Sequence, residues 1–202
     1  GQVLAALRET GAEDDTLIVF TSDHGEGLGS HGWTGKMMYY EEEAAVPLLL
    51  SFKGRTPARI DREHLVSTVD VLPTICDYAG IEPPPSMRGV SLRGVIENPD
   101  KPGQEFVVSE MAGPANGPGR SFMVRTRQYK YMLFPAAGGE PAEMLFDMKA
   151  DPGEMKNLAG EASLAGEIQR HRRLLTGWRK TTEEQKHPVR PSSKSPRRKA
   201  RS

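Results

Sequence analysis

The feature that most constrains this chain is residues 16–50, where an apolar run leads into a glycine-rich loop and then into a second apolar run. The first run, residues 16–21, is short, rich in β-branched side chains and preceded by acidic turn residues. This pattern predicts a strand buried on both faces, within a sheet covered by helices. Asp23 and His24 follow at once. Because ligands in open α/β sheets lie beyond the carboxyl ends of the strands, this position predicts a functional site.

Asp23 and His24 are adjacent side chains that can both bind one metal ion. The glycines that follow permit sharp turns, which keep the backbone away from such an ion. Lys36 then offers a compact positive charge for an anionic oxygen held by the metal. A cation and a lysine together predict a site for a tetrahedral anion. The alternative is structural, since Asp-His-Gly at a strand end is often a turn with the aspartate capping a helix and the histidine on the surface.

Five short motifs follow one another in register across residues 23–48. They are Asp23-His24-Gly25, Gly29-Ser30-His31-Gly32, Gly35-Lys36, Tyr40-Glu41-Glu42 and Val46-Pro47-Leu48. This window closely resembles the sulfatase family of the alkaline phosphatase superfamily, and weaker likenesses extend the resemblance over residues 1–178. What the resemblance implies is the C-terminal portion of a sulfatase.

The resemblance implies roles for four residues. Asp23 and His24 are expected to bind the active-site divalent cation, although many sulfatases have Asn at the second position. Lys36 is expected to contact the sulfate and the leaving-group oxygen, and His31 to line the pocket or orient a neighbour. Calcium is the ion that the family implies, but calcium prefers oxygen, so His24 keeps manganese and zinc as alternatives. Three aromatic residues of the loop are expected to pack rather than react: Trp33, Tyr39 and Tyr40.

In that family a formylglycine nucleophile attacks sulfur while the cation and basic residues neutralise the sulfate oxygens. The nucleophile and a pair of aspartate ligands come from the N-terminal half, and neither is found here. Cys76 lacks the Cys/Ser-x-Pro-x-Arg context and is predicted to be a small buried side chain. We therefore expect that the chain begins mid-protein and that its partners are the missing N-terminal half and a small-molecule or saccharide sulfate ester. By itself the chain is expected to be inactive.

Two other functions stay open. A phosphonate or phosphate monoester hydrolase of the same superfamily could use the same anion site, because sulfate, phosphonate and phosphate groups are tetrahedral and similar in size. A non-catalytic remnant or interaction module is a different class, in which a basic tail does the binding.

The patterns predict an α/β fold followed by an α+β unit. Residues 1–100 are expected to form part of an alkaline-phosphatase-like mixed or parallel sheet with flanking helices, and residues 101–180 a small antiparallel sheet with a C-terminal helix. Helices are predicted from residue 2 to 10, from 65 to 79 with Asp70 as a structural cap, and from 162 to 178. His171 lies in a basic run of the last helix and is expected to be exposed. The charged residues of segment 145–158 are predicted to form turns.

The charges are unevenly distributed. The last 17 residues hold seven Lys or Arg and no acidic residue, so the remaining residues carry 20 basic against 27 acidic side chains, a net charge of −7. Residues 181–202 are expected to be a disordered basic tail, for which solvation is a better account than nucleic-acid binding. No apolar run approaches the length of a membrane span, so no membrane partner is expected. The sequence does not indicate a cellular compartment.

Overall fold

The computed structural model describes residues 1–113, 119–136 and 138–184 of the 202-residue chain. Its elements, in chain order, are α1 (Gln2–Glu9), β1 (Ile18–Thr21), α2 (Glu41–Ala44), β2 (Leu48–Ser51), α3 (Val71–Ala79), α4 (Arg93–Glu97), β3 (Phe106–Met111), β4 (Ser121–Thr126), β5 (Tyr129–Phe134), β6 (Ala142–Asp147) and α5 (Ala165–Glu184). The predicted fold class, α/β with a small antiparallel sheet and a C-terminal helix, is confirmed. Helix α5 continues past residue 180, and the expected tail lies outside the described residues from 185 onward.

The strand that leads to the candidate site pairs with the second apolar run. β1 and β2 are antiparallel, with Phe20 opposite Leu49. Both side chains face solvent, Phe20 being 61% exposed and Leu49 57%. The expectation that β1 is buried on both faces is therefore wrong for this chain, because in the described residues β2 is its one strand partner and no helix covers this pair of side chains.

The predicted helices at residues 2–10 and 65–79 are present as α1 and as α3 with a preceding 3₁₀ turn. Asp70 is buried and structural, as expected, but its carboxylate makes no cap hydrogen bond to α3 and instead completes a capping box with Ser67 in the preceding 3₁₀ turn. Its carboxylate accepts hydrogen bonds from the Ser67 and Val90 backbone N–H groups, both at 2.8 Å. The free Cys76 is buried in α3, as predicted, and Gly80 ends the helix in the left-handed region with φ 67°.

The four remaining strands form an antiparallel meander in the order β3-β4-β5-β6. Alternate side chains of these strands face opposite sides of the sheet. On one side, the sheet packs against α5 through a cluster of six buried residues: Phe122, Val124, Tyr131, Leu145, Ile168 and Leu175. On the other side, it packs against the segment before α2 through a second cluster: Tyr39, Met123, Met132, Phe146 and Met148. The meander thus has a core on both faces.

His171 lies inside the first of these cores, so its predicted exposure is wrong. Its side chain is fully buried, its Nδ1 lies 3.0 Å from the Glu167 carbonyl, and its ring contacts those of Tyr129 and Tyr131. The reason is helical spacing, because Ile168 lies three residues before His171 on the same buried face. The basic neighbours that suggested exposure point away from this face.

None of the helices in the described part of the chain combines the length and apolarity that a membrane span requires.

Candidate metal and anion site

The loop after β1 is closed by hydrogen bonds across its own base. The Gly27 N–H donates to the Gly35 carbonyl at 2.9 Å, and the Gly29 N–H donates to the Trp33 carbonyl at 2.8 Å. The Gly35 N–H donates to the Glu26 carboxylate at 2.6 Å. This ladder returns the chain so that Lys36 comes back beside the residues that directly follow β1.

A second set of bonds joins the loop to α2. The Gly25 N–H donates to the Glu43 carbonyl at 2.8 Å, and the Glu26 N–H donates to the Glu42 carbonyl at 3.0 Å. A Cβ atom at position 25 would lie 1.9 Å from the Glu42 carbonyl oxygen, so only glycine fits here. The backbone immediately after His24 is therefore held directly against α2.

Asp23, His24 and Lys36 converge at the end of β1. His24 Nδ1 lies 2.7 Å from the Gly25 carbonyl, which can only accept, so this nitrogen carries the ring proton. His24 Nε2 lies 2.7 Å from Lys36 Nζ, and the ammonium donates to its lone pair. The nearer Asp23 carboxylate oxygen is 3.4 Å from the same Nε2. The structure thus brings together three of the four residues singled out in the sequence.

The Asp23 side chain is open to solvent, with 83% of its surface exposed. The backbone N–H of His24 donates to Asp23 Oδ1 at 3.0 Å. This hydrogen bond is the largest cause that lowers the pKa of the Asp23 carboxyl group below its usual value. The group is therefore an ionised carboxylate, which is the form that binds metal ions.

His31, the fourth residue, has different contacts. It lies in a 3₁₀ turn with a left-handed backbone, φ 54°, and its ring stacks on that of Tyr40 with centroids 3.8 Å apart. Its Nε2 is 3.4 Å from the Glu42 carboxylate. The contacts that hold His31 are thus with Tyr40 and Glu42, on the α2 side of the loop.

The donor set fits part of a metal site. Oxygen and imidazole ligands bind divalent ions at about 2.0 to 2.6 Å, so donor atoms 3.4 Å apart can share one ion. Among the described residues, no group of three or more His, Cys, Asp or Glu side chains is arranged to hold a metal ion. Asp23 and His24 therefore offer two donor groups, fewer than a metal site needs.

Two surface cavities lie elsewhere in the structure. Their volumes are about 260 and 450 Å³, and His64 and Gln104 line both of them. Neither is lined by Asp23, His24 or Lys36. The candidate site is instead an open surface at the end of β1.

Several residues that shape the loop were not singled out in the sequence. Glu26 bonds the loop to itself, and the Glu43 carboxylate, which is buried, accepts a hydrogen bond from the Met38 N–H at 2.7 Å. The run of three glutamates after Tyr40 was a visible signal for such contacts. The packing role predicted for Tyr39 and Tyr40 is confirmed, since both contact the second core of the meander.

Comparison with known proteins identifies the architecture. Residues 29–180 match a family model described as N-sulphoglucosamine sulphohydrolase, C-terminal. A curated relative, the Delta 4,5-hexuronate-2-O-sulfatase of Bacteroides thetaiotaomicron, is 38% identical over 180 residues, covering 86% of this chain and 36% of that protein.

Solved structures agree with this match. A 2-O GAG sulfatase superposes with a TM-score of 0.79 at 35% identity, covering 90% of this chain and 40% of that one. A phosphonate monoester hydrolase from Silicibacter pomeroyi gives a TM-score of 0.78 at 31% identity, covering 90% of this chain and 38% of that one. The chain therefore spans between a third and two-fifths of the length of these relatives.

Proposed function

We propose, on the premise that this chain belongs to the sulfatase family, that it contributes part of a metal-dependent site for the hydrolysis of a sulfate monoester. The observation that carries the proposal is the convergence of Asp23, His24 and Lys36 on one point at the end of β1. A carboxylate, an imidazole lone pair and an ammonium group form a set suited to a cation and the anion that it binds.

Asp23 and His24 are the residues that would hold a divalent ion. The Gly25 carbonyl supports this role, because it fixes the proton on His24 Nδ1 and leaves a lone pair on Nε2, which accepts from Lys36 in this structure and would face the ion. The ion, when bound, supplies positive charge that neutralises the sulfate oxygens. Calcium is the family expectation, and the imidazole keeps manganese and zinc as alternatives.

Lys36 would bind an oxygen of the substrate anion. Its exposed ammonium group lies 2.7 Å from His24 Nε2, one of the two proposed ligands, so it is placed to bind an anionic oxygen of a substrate held there. A charge-assisted hydrogen bond of this kind strengthens as charge develops on the leaving-group oxygen. His31, stacked on Tyr40, would lie at the α2 side of the same site.

The surface of the first ninety residues supports a role for a further polypeptide segment. Large apolar side chains are exposed there at β1 and β2, and also along α3, where Leu72 is 53% exposed. Such a surface is typical of one that packs against protein. We propose that it packs against the N-terminal half of a sulfatase catalytic domain, which would supply the nucleophile and the missing metal ligands. The substrate class proposed is a sulfated sugar, as the name of the hexuronate sulfatase relative suggests.

A second candidate is the hydrolysis of a phosphonate or phosphate monoester. It is favoured by the phosphonate monoester hydrolase structure, which superposes almost as well as the sulfatase. The residues of this chain would play the same parts for either anion. The experiment therefore compares a sulfate ester with a phosphonate ester as substrates.

The experiment is a chimera in which this chain replaces the aligned C-terminal portion of the hexuronate 2-O-sulfatase relative. We expect the chimera to hydrolyse 4-nitrophenyl sulfate faster than phenylphosphonate esters, and this chain by itself to hydrolyse neither. Lys36→Ala should lower kcat/KM by about 10² to 10³, because it removes charge stabilisation of the transition state. The matched control is Lys53→Ala, an exposed lysine paired with Glu13 and Asp14, which should leave kcat/KM unchanged.

Turnover that survives Lys36→Ala in a folded chimera would contradict the role of Lys36. Measurable sulfatase activity of this chain without a partner would contradict the proposed need for an N-terminal half. A preference for the phosphonate substrate would select the second candidate.

A further inference from the structure

Lys130 is a charged residue in the middle of a strand, and its side chain is fully buried. It lies on β5 and faces the side of the sheet that contacts residues 39 and 40. Its Nζ lies 2.5 Å from a Glu41 carboxylate oxygen and 2.9 Å from one of Glu154, and it donates to the Tyr39 carbonyl at 3.0 Å. A buried ammonium is costly unless it is paired in this way, so its partners are held firmly.

Glu154 completes the cluster from the other side. It is 3% exposed, and its second carboxylate oxygen accepts a hydrogen bond from the Glu41 backbone N–H at 2.7 Å. Burial raises the pKa of Glu154, and the charge of Lys130 opposes that rise. Its backbone has φ 53°, a conformation that a residue other than glycine keeps only where the surroundings fix it. Lys130 thus pairs with the side chain of Glu41, and Glu154 binds its backbone N–H.

Glu41 is the first residue of α2, and the same short segment supports the candidate site. The carbonyls of Glu42 and Glu43 accept the hydrogen bonds of Glu26 and Gly25, the residues next to His24. Tyr40, directly before Glu41, carries the stacked ring of His31. Residues 39–44 therefore lie between the meander and the loop and contact both.

We infer that Lys130, Glu41 and Glu154 form a positioning cluster that fixes residues 39–44 as a platform for the Asp23–His24 loop. The cluster touches neither substrate nor metal and acts through the backbone of α2. The inference rests on the proposed function for its purpose, but the coupling itself is a property of this chain. A purely structural cluster would stabilise the whole fold evenly and would have no particular effect on the loop.

Amide hydrogen exchange of the full chain, followed by NMR, separates these two roles. In Lys130→Met we expect the Gly25 and Glu26 amides to exchange about tenfold faster relative to the Val124 amide in the meander core than they do in the unchanged chain. The Nε2 chemical shift of His24 should change in the same variant, because its bond with Lys36 depends on the loop. Lys156→Met removes an exposed lysine paired with Glu161 and should change neither quantity.

Glu41→Gln provides a second variant that keeps the size of the side chain and should raise exchange at Gly25 and Glu26 in the same direction, more weakly. It decides the question if Lys130→Met does not fold. Equal acceleration at Gly25, Glu26 and Val124, or no acceleration at the two loop amides, would overturn the inference. Because the measurement uses no substrate and no metal, its outcome is separate from the success or failure of the proposed hydrolysis.

Discussion

The site region and the meander are built from the same kinds of apolar residue but use them differently. In the described residues, fourteen of the fifteen exposed large apolar side chains lie between Val3 and Val90, and the other is Met155. The meander instead fully buries residues from three neighbouring strands, among them Val124, Tyr131 and Leu145. The meander has a core on both faces, whereas the site region leaves large apolar side chains of β1, β2 and α3 exposed.

This difference shows where the candidate site obtains its order. The loop after β1 is held by backbone hydrogen bonds and by α2, and α2 is held by the meander through Tyr39 and the Lys130 cluster. The side of the loop that contacts α2 is therefore fixed, because α2 is itself anchored on the meander. The loop is open on its other side, where Asp23 faces solvent.

The largest difference between the two regions should appear when one leucine is shortened in each. Leu145→Ala in β6 removes a fully buried side chain and should lower the free energy of unfolding by about 2 to 5 kcal/mol, because it loses burial and leaves a cavity. Leu49→Ala in β2 removes a side chain that is 57% exposed, so it should change the free energy of unfolding by less than about 0.5 kcal/mol. Urea unfolding measures both. Similar losses for the two variants would mean that the regions are equally well packed.

A glycine pair tests how closely the loop is held against α2. Gly25→Ala places a methyl group 1.9 Å from the Glu42 carbonyl oxygen and should cost about 1 to 3 kcal/mol, since the backbone must shift. Gly177→Ala is the control, because Gly177 lies in α5 with open space around its Cβ position, and it should stabilise the helix by about 0.5 to 1 kcal/mol. Thermal or urea unfolding gives both values. A neutral Gly25→Ala would show that α2 and the loop move apart freely.

Two histidines, one in each region, differ in the sign of their pH dependence. In the first region, His64 donates Nδ1–H to Asp61 at 2.8 Å and Nε2–H to the Lys101 carbonyl at 2.9 Å. The bond with Asp61, then the one with Lys101, raises the pKa of His64. Burial would raise the pKa of Asp61, but hydrogen bonds from His64 and from backbone N–H groups outweigh burial and lower it to about 2.

In the meander, burial lowers the pKa of His171. A raised folded pKa gives stability that is complete below the ordinary histidine value and is lost as pH rises through the folded pKa. A lowered one gives stability that is present above the ordinary value and is lost as pH falls through the folded pKa. The two histidines therefore act in opposite directions.

Unfolding measured between about pH 5 and pH 8 should show this opposition. The stability difference between the unchanged chain and His64→Gln should shrink as pH rises, and the difference for His171→Gln should shrink as pH falls. These are the smallest of the expected effects. Differences that follow pH in the same direction would contradict the assignment of His64 as charged and His171 as neutral.

Local patterns in the sequence predicted most elements of the fold. Apolar patterns located α1, α3, α5 and β1 and predicted the antiparallel sheet within residues 101–180, since these signals lie within a few residues of one another. β6 was missed because segment 145–158 was interpreted by its turn residues, and Asp147 does start a turn by accepting from the Lys149 N–H, but only after the strand ends. The burial of His171 was missed because charge was weighed above helical spacing.

The site could be predicted only as far as its motif extends. Asp23, His24 and Lys36 were identified from one window, and the structure brings them together. The Lys130 cluster joins β5 to residues far away in the chain, Glu41 and Glu154, and no local pattern links these three. Partners of a buried charge depend on tertiary contacts, so sequence periodicity cannot reveal them.

The order of the strands in the meander also bears on how the molecule folds. Each of its three pairings joins strands that are consecutive in the chain, and β4 and β5 are separated by two residues. Short loops cost little entropy to close, and chains dominated by such contacts fold quickly. We expect the meander to form early and to serve as the template on which Tyr39, α2 and finally the loop after β1 are assembled.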